Sequence, residues 1–273
     1  IRALSGDTTL SDQMMALAAW ISNYYVCSLG EAIAQMFPTS IRRGRARVKT
    51  ESIVKLAIPY EEAEALIASM ENRAPRQTQA LRAILSKGPV MSRRHLNNAV
   101  GSTSGAVRAL INKGILTETR REVLRSPLKK ISKTQKPAPV LTPEQDKAVK
   151  TIIESLDQVS PKPFLLHGVT ASGKTEVYMR VIEAVLARGE SAIVLVPEIS
   201  LTPQMTRSFC QRFGRNVAVL HSKLSSGERF DEWRRAERGD AKIVVGARSA
   251  VFAPVRNLGF IVVDEEHENS YKQ

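Results

Sequence analysis

Residues 168–175 read Gly-Val-Thr-Ala-Ser-Gly-Lys-Thr, a complete GxxxxGK[ST] pattern, and they constrain this chain more than any other stretch. Backbone N–H groups converge on an anion only where the chain curls tightly, and Gly168 and Gly173 permit that curl. Such a loop belongs between a buried strand and the first turn of a helix, whose dipole favours negative charge. The flanks meet that demand. The apolar run Phe164–His167 is expected to be the strand, and the stretch Lys174–Arg188 the helix. Further apolar runs at Ala192–Val196, Val217–Leu220, Lys242–Val245 and Phe260–Val263 alternate with helical stretches such as Gly227–Arg238. Short apolar strands separated by helices imply an α/β domain with a parallel sheet covered on both faces.

The loop's chemistry follows from its residue types. Gly168, Val169, Thr170, Ala171, Ser172, Gly173, Lys174 and Thr175 are expected to cradle the phosphates of a nucleoside triphosphate, with Lys174 on the β- and γ-phosphates and Thr175 on Mg²⁺. Asp264-Glu265-Glu266-His267 follows the apolar run Phe260–Val263, so acids stand at the C-terminal end of a buried parallel strand, where open α/β sheets bind ligands. Asp264 is expected to hold Mg²⁺ through water, and Glu265 to act as general base on the attacking water. His267 reads as a sensor of the γ-phosphate or as a residue that orients Glu266. Gln145 reads two ways. In Leu141-Thr142-Pro143-Glu144-Gln145 it closes a capping box with Thr142, or it reads the adenine edge from ahead of the phosphate loop.

Charge locates a second activity. The net charge is +13, and residues 76–140 hold 14 basic and 2 acidic residues, while residues 1–75 are balanced at 8 and 8. A block of one sign is the electrostatic footprint of a polyanion-binding module. Its pattern is helix over about 78–86, break at Gly88-Pro89, helix over 92–99, helix over 103–113, then an alternating ribbon Ile115–Arg125. That order resembles a winged helix-turn-helix, with Arg93, Arg94, Arg108, Lys113, Arg120 and Arg121 as phosphate contacts. Arg42, Arg43, Arg45, Arg47 and Lys49 form another basic run that reads as nucleic-acid contact or as a solvated connector. The loops Pro197–Gln204 and Gly246–Ala250 follow strand ends and read as turns or as contacts to a single strand through Ser200, Arg248 and Ser249.

Cys27 and Cys210 have no CxxC neighbours and read as plain thiols in a reducing compartment. No run of about 18 apolar residues marks a membrane span, so no membrane partner is expected. The organisation expected is therefore four segments: 1–75, a winged helix at 76–125, a Ser/Lys/Pro linker at 126–140, and the nucleotide domain from 141 to 273.

The stretches HGVTASGKTEVYMR (167–180), LVPEISLTPQ (195–204), HSKLSSGER (221–229), GARSAVFAPVRNLGFIVVDEEHENSYKQ (246–273) and LSDQMMALAAWISNYY (10–25) together resemble the bacterial primosomal replication-restart helicases, the PriA family of superfamily 2. The resemblance implies a RecA-like helicase lobe, a winged helix and an N-terminal domain that binds DNA 3′ ends. It implies an ATP- and Mg²⁺-dependent 3′→5′ DNA helicase that recognises stalled forks and starts primosome assembly in the bacterial cytoplasm, on the nucleoid. Implied partners are forked and single-stranded DNA, single-stranded DNA-binding protein and other primosome proteins. Ala171 departs from the Gly that many relatives carry. The second lobe and the zinc region of the family are not in this sequence, so it is expected to be a truncated piece, weak in hydrolysis by itself. A reading from another class is a DNA-binding P-loop ATPase switch that does not unwind.

Overall fold

The computed structural model describes residues 10–44, 46–99, 101, 104–125, 138–158, 162–169, 171–198 and 200–271. Thr170, Arg45 and most of the expected linker (126–137) lie outside the described residues. The chain forms two compact units: Val48–Leu124, and a second built from Ile1–Arg47 with Arg125–Gln273.

The smaller unit contains β1 (Thr50–Leu56), α4 (Tyr60–Met70), α5 (Pro75–Lys87), β2 (Val90–Ser92), α6 (Arg93–Ala99), α7 (Ser104–Asn112) and β3 (Leu116–Glu122). Pro75 starts α5 at the position where its missing N–H costs nothing, and Gly88 at φ 115 ends it. Leu81, Ile84, Leu96, Val107, Leu110 and Leu116 close a core against Val54. The expected ribbon Ile115–Arg125 is instead one strand. Its segment has no Gly, Pro or Asn with which to turn, and β3 pairs antiparallel with β1 from Thr50↔Glu122 to Leu56↔Leu116. The three-stranded sheet runs β2-β1-β3. Because β1 is its central strand, the unit reaches back to Val48 rather than starting at 76. Its ends lie together, with Val123 N donating to Lys49 O at 2.8 Å.

The larger unit holds the parallel sheet. β4 (Ser191–Leu195), β5 (Val217–Leu220), β6 (Ile243–Gly246) and β7 (Leu258–Val263) run in the order β5-β6-β4-β7. β4 is buried along its whole length, as an apolar run covered on both faces must be. On one face α9 (Lys174–Ala187) and α10 (Pro203–Phe213) bring Tyr178, Ile182, Phe209 and Phe213 onto Val194 and Val245. On the other face Ala236, Ala250 and Ala253 cover Ile193, Leu220 and Val244. α8 (Pro143–Ser155) packs Val149 and Ile152 on Val177 and Val181 of α9.

α11 (Ser226–Arg238) is rich in charge, SGERFDEWRRAER, yet every residue from Phe230 to Ala236 is buried. One side faces β5: Glu232 Oε2 accepts from Val219 N at 3.1 Å and from Arg235, which also donates to Val217 O. The other side faces the N-terminal segment, made of α1 (Asp12–Tyr24), α2 (Leu29–Met36) and the short α3 (Thr39–Arg42). There Trp233 packs with Phe37 and Ile41 and donates its indole N–H to Met36 O at 3.2 Å. Buried charges persist only when paired, and these are.

One expected strand does not form. Residues 162–169 carry no strand, and Phe164 and Leu165 are exposed. A short apolar run becomes a strand only through a ladder with a neighbour, and among the described residues β7, the edge of the sheet, bonds to β4 alone. The phosphate loop is thus entered from irregular backbone.

Candidate nucleotide site and DNA-facing residues

The loop before α9 is held by its own chemistry. Ser172 N donates to Val169 O at 3.2 Å, and Gly173, the residue capping α9, sits at φ 82. A Cβ on Gly173 would lie 2.4 Å from Gln145 Nε2, and one on Gly168 would lie 2.7 Å from Ser172 Oγ. Either Cβ would have to displace the side-chain tip it meets, and Gly173 favours glycine for its conformation as well. Ala171 adopts φ 64, a left-handed angle that an L side chain resists. Lys174 Nζ folds back on the loop and donates to Gly168 O at 2.7 Å and Val169 O at 3.2 Å.

Gln145 bears out its capping-box reading and adds a contact to the phosphate loop that neither reading contains. It closes the capping box, its Oε1 accepting from Thr142 N at 3.0 Å. Its Nε2 donates to Ser172 O at 2.9 Å. The cap of α8 is therefore tied directly to the phosphate loop.

Asp264 stands at the end of β7, placed there by the bond from its N–H to Leu195 O on the central strand at 2.9 Å. Burial, then the Glu265 charge beside it, pushes its carboxyl above the ordinary Asp value, while Lys174 pulls in the other direction. Lys174 and Asp264 thus feel each other's charge, although they are far apart in sequence. Glu265 holds φ 49, and non-glycine residues in that region cluster at functional sites. His267 lies next to Glu265 rather than Glu266, with Nδ1 3.7 Å from Oε2. The sequence reading missed two tyrosines. Tyr178 Oη reaches Asp264 Oδ2 at 3.5 Å, and Tyr271 Oη donates to the Asp264 carbonyl at 2.9 Å. Burial pushes the Tyr271 hydroxyl up to about 12. The only available signal was spacing: Tyr178 lies one helical turn beyond Lys174. A separate cavity of about 350 Å³, lined by Ser40, Arg47, Arg125 and Phe230 among others, includes none of these residues.

The loops after β4 and β6 open on the same sheet end. Ser200 sits in a turn, its N–H on Pro197 O at 2.9 Å, and Arg248 and Ser249 are exposed at the start of a 3₁₀ turn. Gly246 is needed there, because a Cβ would meet Leu220 O at 2.3 Å. In the smaller unit Arg94, Arg108, Arg120 and Arg121 are exposed, Lys113 donates to Gln77, and Arg93 is paired with Glu118. That unit carries 12 basic and 7 acidic residues, so its excess charge is milder than the 76–140 window suggests.

Comparison with known proteins now bears on this geometry. Residues 142–273 match the DEAD/DEAH box helicase family, and residues 1–38 match the 3′DNA-binding domain family. The chain is 51% identical to the replication restart protein PriA of Bacillus subtilis over 207 residues, covering 75% of this chain and 26% of that protein. It is 37% identical to that of Chlamydia muridarum over 265 residues, covering 97% and 35%. The chain belongs to the PriA family. It spans about a quarter to a third of the length of these curated PriA relatives. The helicase match begins at Thr142, the cap of α8, and so contains the whole Gln145–Lys174–Asp264 constellation. Among the described residues no helix is long and apolar enough to cross a membrane.

Proposed function

We propose that the chain carries the nucleotide-binding lobe and DNA-gripping parts of an ATP-dependent 3′→5′ DNA helicase that recognises stalled or abandoned replication forks and starts primosome assembly. The observation that supports it most is that the helix following the phosphate loop meets the acidic pair: Tyr178, one turn beyond Lys174 on α9, reaches Asp264 Oδ2 at 3.5 Å at the C-terminal end of the sheet. Gly168 and Gly173 present bare backbone on the loop, which suits close approach of phosphate. Gly168–Thr175 would hold the phosphates of ATP, Thr175 and Asp264 would hold Mg²⁺, and Gln145 would read adenine or brace the loop. Bound Mg²⁺ supplies charge neutralisation at the phosphates. Lys174 leaves its two carbonyls for the phosphate oxygens. Glu265 takes a proton from water, and His267 beside it orients its carboxylate. Hydrolysis by these residues alone is slow, since this chemistry also uses an arginine finger.

The smaller unit is read as a winged helix, with α5, α6 and α7 as its helices. This assignment is supported by their order and by the antiparallel sheet beside them. Arg94, Arg108, Arg120 and Arg121 would bind phosphates of forked DNA, joined by Arg93 and Lys113 once their present partners are exchanged. Ser200, Arg248 and Ser249 would track a single strand. Partners would include single-stranded DNA-binding protein and other primosome proteins, in the bacterial cytoplasm on the nucleoid. Zinc would be a cofactor of the family outside this sequence.

Fluorescent-ATP titration and anisotropy on a labelled fork test this reading. Lys174→Ala should weaken nucleotide binding about 10- to 100-fold, the value of one charged hydrogen bond, and leave DNA binding unchanged. Equal loss of both would refute the assignment. A P-loop switch would show no strand displacement by the complete protein.

A further inference from the structure

Tyr178 is buried in the α9–sheet core, its ring stacked on Phe209 with centroids 6.2 Å apart and planes 18° from parallel. A phenylalanine would fill that space equally well. The hydroxyl, however, emerges between two groups of the nucleotide site. It lies one turn after Thr175 on the same helix face and donates to Asp264 Oδ2 at 3.5 Å, 86 residues away in sequence. One buried phenol oxygen on α9, on the face that carries Thr175, therefore reaches the β7 carboxylate assigned with Thr175 to the cation.

Resting on that assignment, we infer that Tyr178 is a positioning residue, bridging the Thr175 hydroxyl and the Asp264 carboxylate so that both are oriented towards the Mg²⁺ of a bound nucleotide. A carboxylate on a strand end and a hydroxyl on a helix belong to separate elements, and each has its own rotamer freedom. A shared partner fixes both against a rigid core. Outer hydrogen-bond partners of this kind set ligand orientation, and their loss typically costs about 10- to 100-fold in metal affinity. The phenol is well placed for the role, because ring stacking leaves its oxygen little freedom.

The test uses the 273-residue chain and a fluorescent ATP analogue, titrated in EDTA and in Mg²⁺. Mn²⁺ binding to the nucleotide-loaded protein, followed by electron paramagnetic resonance, is a second readout. Tyr178→Phe should match the unaltered chain in EDTA and lose about tenfold of the tightening that Mg²⁺ gives, with a matching loss of Mn²⁺ affinity. Asp264→Asn should lose that tightening outright, and Tyr178→Phe added to it should cost nothing more. Three results would overturn the inference: an unchanged Mg²⁺ effect in Tyr178→Phe, an equal loss with and without Mg²⁺, or full additivity with Asp264→Asn. Failure of the underlying site is distinguishable, because Lys174→Ala would then bind the analogue as well as the unaltered chain does.

Discussion

Arg125→Ala removes a guanidinium that holds three strands of chain together. Its Nη1 reaches Asp231 Oδ2 at 3.4 Å and Gly227 O at 3.5 Å, and both terminal nitrogens donate to Arg47 O at 3.2 Å. Asp231 is 1% exposed, so its charge depends on this neighbour. Stripping one partner from a buried ion pair costs about 3–5 kcal/mol. Two facts lower the figure here. Arg125 keeps its own backbone N–H on Asp231 Oδ2 at 2.8 Å, and its side chain is 28% exposed. A charged hydrogen bond contributes about 1.5–3 kcal/mol, so a loss of about 2–3 kcal/mol is expected. Urea unfolding measures it, read by Trp233 fluorescence in a Trp20→Phe background; Trp233 lies on the same helix as Asp231 and is 2% exposed. Asp231→Asn and the double variant complete a cycle whose coupling should be at least about 1 kcal/mol. An unchanged urea midpoint for Arg125→Ala, or a coupling near zero, would refute the reasoning.

Three further outcomes follow from positions already described. Ala171→Gly relieves a left-handed angle that costs an L residue about 1–2 kcal/mol and returns about 0.4–1 kcal/mol of unfolded-chain entropy. Calorimetry should therefore show a rise of about 1–4 °C in Tm. Asp264 ionises against burial and the Glu265 charge, so its ionisation opposes folding: the penalty is absent below the unfolded pKa near 3.8, grows as pH rises towards the raised folded value, and is complete at neutral pH. Asp264→Asn should accordingly raise Tm at pH 7.5 while losing Mg²⁺-dependent binding, and the thermal gain should vanish as pH falls to 3.8. In fork binding followed across salt, Arg120→Ala and Arg121→Ala should each flatten the log–log slope by about one.

What the sequence made legible was local. The phosphate loop is contiguous, Gly173 takes the left-handed φ that its glycine permits, and the acids sit where an apolar strand delivers them. Helix ends were legible too: Thr142 and Gln145 form the capping box their spacing suggested. Long-range pairing was not. β1 and β3 lie more than 60 residues apart in sequence at Thr117–Lys55, and neither strand names its partner. Periodicity found an apolar run at 164–167 but had no access to whether a neighbour was there to bond it. α11 defeated polarity as a guide to exposure: Asp231 finds Arg125, and the local Glu232–Arg235 pair is bonded to Val219 N–H and Val217 O, contacts that only folding brings near. Tyr178 escaped for the same reason: its ring reads as core, and its oxygen finds Asp264 only through the sheet.

Lys49 and Val123 are hydrogen-bonded neighbours, and so are Arg47 and Arg125. The polypeptide thus departs at 47 and returns at 125 through a gap that one short peptide can close. Closing a brief loop carries little entropy, so excising Val48–Leu124 and joining the stumps with a few Gly and Ser residues should leave the P-loop unit able to fold. The same adjacency makes Val48–Leu124 a removable cassette, one that can be expressed alone or exchanged for another DNA-binding module.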